Sequence, residues 1–132
     1  MLRFRIYNAN PKGKKTGDCA IRAVANILGI TWDEALDELV SMSHKTKYDP
    51  TDRKNVTFVM KSHGWVKLPR ERKPDGTYYE VRELDAIYPM GMRSKGILVS
   101  VANHLTAIIG DHYEDIWDCG RKASGNVWVK GR

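Results

Sequence analysis

The chain has 132 residues, 42% hydrophobic and 29% charged, a balance that suits one soluble globular domain over 1–132 and excludes a disordered or fibrous chain. That length buries a core without disulfide or metal staples. The net charge of +6, from 22 Lys and Arg against 16 Asp and Glu, admits an acidic protein partner and, more weakly, a nucleic acid. The cations at 12–15 and 67–73 lack an interleaved aromatic motif and read first as solvated surface. No apolar run approaches the ~18 residues of a membrane span, and Met1 to Tyr7 does not have the pattern of a secretion signal. A cytoplasmic location is therefore expected, without membrane contact and with Cys19 and Cys119 as free thiols.

Leu2 to Tyr7 alternates apolar and basic residues, which predicts a short edge strand. A polar loop from Asn8 to Lys15 follows, and its amides are placed to serve a reactive neighbour. From Asp18 to Leu28 there is no Pro or Gly, apolar residues at 20, 21, 24, 27 and 28 share a face, and Gly29 supplies a stop. This predicts a helix capped by Asp18 or Thr16, with Gly17 allowing a sharp entry. Cys19 then lies in the first turn, where unsatisfied N–H groups and the helix dipole favour thiolate over thiol. A small buried core cysteine is the plain alternative. Arg22 stands one turn further on, within reach of a carboxylate or of the thiolate.

Thr31 with Glu34 forms a capping-box pattern ahead of a helix from Trp32 to about His44. A third helix is predicted from Thr51 or Asp52 to Ser62, with Val56, Val59 and Met60 inward and Gly64 ending it. Val66 to Pro74 is basic and bounded by proline, Thr77 to Tyr79 favours β structure, and Glu83 to Tyr88 adds a helical turn. The stretch from Pro89 to Lys95 is expected to be a mobile, substrate-facing loop. Strands follow at 97–101, 104–109, 113–118 and 127–129. The order predicts an α+β fold, with the N-terminal helices packed on one side of a C-terminal antiparallel sheet.

A cysteine that opens a helix, a histidine that opens a strand and carboxylates on the next strand are what thiol nucleophilic catalysis needs. The thiolate attacks, the imidazole holds it and then protonates the leaving group, and the acid orients the imidazole. In these residues the chain resembles the papain-like cysteine peptidases in the broad sense, including bacteriocin-processing peptidase domains and small papain-like proteins of phages and bacteria. Gly17-Asp18-Cys19-Ala20-Ile21-Arg22-Ala23 resembles that family's helix-opening motif. Val99-Ser100-Val101 with Asn103 to Gly110 looks like its strand, histidine, apolar strand and glycine turn. Asp115-Ile116-Trp117 is similar to the segment that holds and shields the histidine in papain, with aspartate in place of asparagine. The similarity covers 16–29 and 97–118 and leaves the middle unmatched.

The resemblance implies a papain-like fold and a thiol hydrolase acting on a peptide, isopeptide or other amide through an acyl-enzyme, without a cofactor. Cys19 would be the nucleophile and His104 the base and acid. The same constellation serves acyl transfer, so an amine acceptor stays open. A two-residue turn at Gly110-Asp111 puts Asp115 diagonally beside His104 under Trp117, whereas a three-residue loop puts Asp118 opposite instead. Asp115 is preferred, with Asp118 the alternative. The family's glutamine donor is missing, Gly13 and Lys14 standing near its place. The Cys19 N–H would supply one oxyanion donor and Asn8, Asn10 or a lysine the other, with Asp18 in support. His44, His63 and His112 show no metal spacing, and a zinc site from Cys19, His104 and Cys119 lacks a motif. The competing expectation is a degenerate adaptor or inhibitor that binds a protein or nucleic acid through its basic surface.

Overall fold

A computed structural model describes residues 1–131. The elements in chain order are β1 (Arg3–Ile6), α1 (Cys19–Leu28), α2 (Trp32–Thr46), α3 (Arg53–Ser62), β2 (Trp65–Leu68), a 3-10 helix (Val81–Ala86), α4 (Met90–Arg93), β3 (Ile97–Val101), β4 (His104–Ile109), β5 (His112–Asp115) and β6 (Val127–Lys130). They form an α+β molecule around one sheet of six strands in the order β1-β5-β4-β3-β6-β2.

The helix signals act as their chemistry requires. Thr31 accepts from the Glu34 N–H while Glu34 accepts from the Thr31 N–H, completing the capping box of α2. Asp52 caps α3, whose Val56, Val59 and Met60 are fully buried. Gly29 ends α1 at φ 65°, a left-handed conformation that glycine adopts without a Cβ clash. Asp18 occupies the N-cap position of α1, but its side chain makes no capping bond. Its carboxylate is taken by side chains described below.

The sheet corrects two expectations. It is mixed rather than antiparallel, because β1 runs parallel to β5, Arg3 against His112 through Ile6 against Asp115. A parallel neighbour cannot be reached by a hairpin, and the whole helical half of the chain intervenes. The basic stretch after Gly64 also hides a strand, since β2 pairs antiparallel with β6 as the far edge. Only Trp65 of β2 is buried, so its sequence lacks the apolar run that marks inner strands. Conversely, the β-prone 77–79 stretch reaches only an isolated bridge, Tyr78 with Arg72.

Both faces of the sheet are covered. On one side α1, α2 and α3 pack on Leu98, Leu105, Ala107 and Trp128. On the other, Leu2, Val81, Leu84 and Tyr88 pack on Ile97, Val99, Ile108, Tyr113 and Val129. The middle of the chain is therefore cover for the second face. Nor does the 89–95 stretch face substrate as a loose loop. The Arg93 side chain donates to the carbonyls of Tyr88 at 2.8 Å and Gly110 at 2.6 Å. That fastens α4 to the Gly110 end of β4, the end away from His104.

Gly120 holds the loop after β5 in place. Its N–H donates to Asp118 Oδ1 at 2.9 Å, the same atom that receives the Tyr113 hydroxyl at 2.5 Å. A Cβ here would lie 2.0 Å from Tyr113 Oη. Tyr113 is buried, with its ring 5.7 Å from that of Phe4, and has no room to yield. Gly120→Ala is expected to lower stability by about 1–3 kcal/mol through overpacking, read as an earlier denaturant midpoint with an unchanged slope.

Candidate active site

Cys19 is the first residue of α1 and is half-buried against the helical core. His104 is the first residue of β4, facing Val101 across the Ala102-Asn103 turn. Asn103 takes φ 54° there, a conformation that asparagine tolerates better than most residues. On the next hairpin Ile109 faces His112, Ile108 faces Tyr113 and Ala107 faces Glu114, the register of a two-residue Gly110-Asp111 turn. Continued, that register sets Thr106 against Asp115 and so places Asp115 diagonally beside His104.

The contact is direct. His104 Nε2 lies 2.6 Å from Asp115 Oδ2. Trp117 covers the imidazole, ring centroids 4.9 Å apart and inclined by 46°, and is itself 40% exposed. Asp118 is not the partner. Its carboxylate receives Tyr113 and the Gly120 N–H, because the loop turns it away from the histidine.

With Nε2 given to Asp115, Nδ1 is the ring nitrogen left for Cys19. Burial opposes charge on the Cys19 sulfur, but hydrogen bonds from His104 and the Leu105 backbone, with the charges of His104 and Arg53, outweigh it and hold the thiol below its usual range. Burial likewise opposes charge on His104. Hydrogen bonds with Asp115, Cys119 and Cys19 prevail, and its pKa rises from 6.5 to about 11. Asp115 stays ionised in spite of burial because His104 is beside it. The arrangement favours a thiolate and an imidazolium over two neutral groups.

Asp18 and Arg22 tie this trio to the helix. The buried Arg22 guanidinium bonds the Asp18 carboxylate one turn back and lies 3.7 Å from Asp115 Oδ1. Asp18 Oδ2 also accepts from Trp32 Nε1 at 2.9 Å and Asn10 Nδ2 at 3.3 Å. Hence Arg22 serves carboxylates, and Asp18 supports the site without capping α1. The first N–H groups of α1 are left without that side chain as acceptor.

Neither asparagine of the preceding loop is placed as an oxyanion donor. Asn8 Nδ2 donates to the Lys14 carbonyl at 2.9 Å, and Asn10 Nδ2 is directed at Asp18. Their oxygens receive the N–H groups of Asn10 and Lys12. These hydrogen bonds build the loop and fasten Asn10 to Asp18.

Two participants have no signal in the motifs. Cys119 is fully buried in the second core, with Sγ 3.7 Å from Asp115 Oδ2. It follows the strand in an irregular loop, where no periodicity points inward. Arg53 begins α3 and donates from Nη2 to the His104 carbonyl at 2.9 Å. A cation in the first turn opposes the helix dipole, and that mismatch was its available sign. His104, Asp115 and Cys119 have donor atoms within 4.8 Å of one another and are the described residues that could share a metal ion. Cys19 falls outside that set, unlike the zinc arrangement considered from the sequence. A tetrahedral cation would separate His104 from Asp115, since ligand atoms about 2.0–2.3 Å from one centre stand well over 3 Å apart.

The remaining histidines lie elsewhere. His63 ends α3 and contacts Glu38 at 2.7 Å, and His112 sits between Asp111 and Glu114. Among the described residues no helix is long and apolar enough to cross a membrane. No family model, curated protein or solved structure matches the chain.

Arg22 gives a stability prediction. Burial raises the pKa of Asp18, but Trp32, Asn10 and Arg22 overcome this and depress it. A depressed carboxyl adds stability above its unfolded value of about 3.9, and that stability is lost as pH falls through the folded value. Arg22→Met removes the cation between the two buried carboxylates, leaving Asp18 only the neutral donors Trp32 and Asn10 and Asp115 only His104, which is expected to cost about 3 kcal/mol and to move the acid-unfolding midpoint to higher pH.

Proposed function

We propose that this protein is a papain-like thiol hydrolase that cleaves a peptide, isopeptide or other amide through a Cys19–His104–Asp115 triad. The observation that carries the reading is His104 Nε2 at 2.6 Å from Asp115, with the helix-opening Cys19 partly open and its thiol held below the usual range chiefly by the same imidazole. Cys119 is fully buried and has no path to a substrate carbonyl, whereas Cys19 is partly open.

The Cys19 thiolate attacks the carbonyl carbon, forming a C–S bond as the carbonyl π electrons move to oxygen. The N–H groups opening α1, that of Cys19 first, face the developing oxyanion. When the C–N bond breaks, imidazolium gives its proton to the departing amine. His104 then takes a proton from water, whose oxygen attacks the thioester, and the acid product leaves as the thiol is restored. Asp115 keeps one imidazole orientation throughout and offsets its positive charge. An amine in place of that water would give acyl transfer by the same steps.

The test is the pH dependence of iodoacetamide alkylation, with the modified cysteine located by peptide mass mapping. Cys19 is expected to react with a midpoint below the ~8.5 of a free thiol. His104→Ala should raise that midpoint and slow the reaction at pH 6 by at least about tenfold, since ten-fold less thiolate accompanies each unit of rise. Amide cleavage should also fall as pH climbs towards the His104 value of about 11, where the leaving-group acid is lost, while alkylation persists. An ordinary midpoint, unmoved by His104→Ala, would replace this reading with the binding-only one.

A further inference from the structure

Two cavities meet at the turn before His104; neither is lined by Cys19, His104 or Asp115, and the link to the triad runs through Asn103, the neighbour of His104, and Arg53. One of 460 Å³ is lined by Arg53, Lys67, Asn103, Asn126 and the Trp128 edge. Another of 310 Å³ is lined by Arg70, Ala102, Lys122 and Gly125. They share Ser100 and Val101, so together they form a groove along the end of β3 and the turn that leads into His104. Arg53 belongs to both places, as it lines the groove, holds the His104 carbonyl and bears by its charge on Cys19.

The lining has four cations, Arg53, Lys67, Arg70 and Lys122, and one acid, Asp52. Asp52 is already committed to the Lys54 N–H at 2.8 Å. The cations are largely held in place. Arg70 donates from Nε to the Ser124 carbonyl at 2.7 Å with its guanidinium 3.3 Å from the Tyr78 ring centroid, and Lys67 Nζ lies 5.6 Å from that of Trp128. Cations fixed before binding lose little side-chain freedom when a ligand arrives.

We propose that this groove is the substrate cleft of the thiol hydrolase, and that it takes an acidic peptide segment whose Asp or Glu side chains pair with Lys67, Lys122 and the two arginines. The inference rests on the triad reading for its chemistry and on the groove for its specificity. A peptide suits it better than single-stranded nucleic acid, which binds by stacking bases on free aromatic faces. Here Tyr78 carries Arg70 and Arg72, and Trp128 is buried beneath Lys67.

The experiment measures anisotropy of fluorescein-labelled hexaglutamate, hexalysine and hexathymidylate with the full chain and with a Lys67→Glu/Lys122→Glu variant. Hexaglutamate should bind best, and charge reversal should weaken it at least about tenfold, as like charges facing each other oppose association. Equal binding of hexaglutamate and hexalysine, or binding indifferent to the reversal, overturns the proposal. Tighter hexathymidylate assigns the groove to nucleic acid and also overturns it. If the reversed variant melts early, Lys67→Gln/Lys122→Gln replaces it and should weaken binding in the same direction. In a second arm, a chloromethyl ketone of an acidic peptide should label Cys19 faster than its basic counterpart, and on reversal the ratio of the two rates should fall at least about tenfold, a ratio that any general change in thiol reactivity leaves unaltered. Failure of iodoacetamide to label Cys19 sinks the hydrolase reading and with it the groove's part in catalysis, while the anisotropy measurement still decides by itself whether the groove takes an acidic peptide.

Discussion

The interaction on which the site depends is the buried Arg22 guanidinium between Asp18 and Asp115. It joins the first turns of α1 to the end of β5, and so fixes where a thiol on the helix stands relative to an imidazole on the sheet. Read outward from it, charge alternates in sign through Asp18, Arg22, Asp115, His104, the Cys19 sulfur and Arg53. Three negative and three positive groups balance when Cys19 and His104 are both ionised. Taking isolated charges out of water is costly, and a neutral ladder lowers that cost for each member. Asp18 and Arg22, both buried, thereby support the charge on His104 through Asp115.

The two sulfurs lie on opposite sides of the sheet. Cys19 belongs to the helical side of the sheet and Cys119 to the other, and both bear on the charge of His104. Their environments separate their roles. Cys19 opens a helix, meets Arg53 and remains partly accessible, whereas Cys119 is enclosed against the Asp115 carboxylate. Burial restricts Cys119 to holding the acid, since a nucleophile must be reached.

What the sequence disclosed follows from how local each cause is. The Thr31 capping box, the Gly29 stop and the Gly110-Asp111 turn act over a few residues, and each is readable where it acts. The turn even fixed Asp115 over Asp118, because register propagates from a hairpin by simple alternation. The parallel seat of β1, the edge strand β2 and the position of Cys119 depend on partners tens of residues away and leave no periodic mark. Asp18 shows the same limit from another side. Its residue type suits a helix cap, yet Trp32, Asn10 and Arg22 offered its carboxylate stronger partners.

The placing of β1 against β5 bears on how the molecule comes to exist. Residues 3–6 find their neighbours only at 112–115, and Cys19 finds its imidazole at 104. Local helices form early, while pairings of such separation wait for slow loop closure. During synthesis, Cys19 therefore emerges long before the groups that would ionise it. Until β4 joins the sheet the thiol lacks the imidazole that lowers it, so the proposed nucleophile would arise only with the assembled sheet.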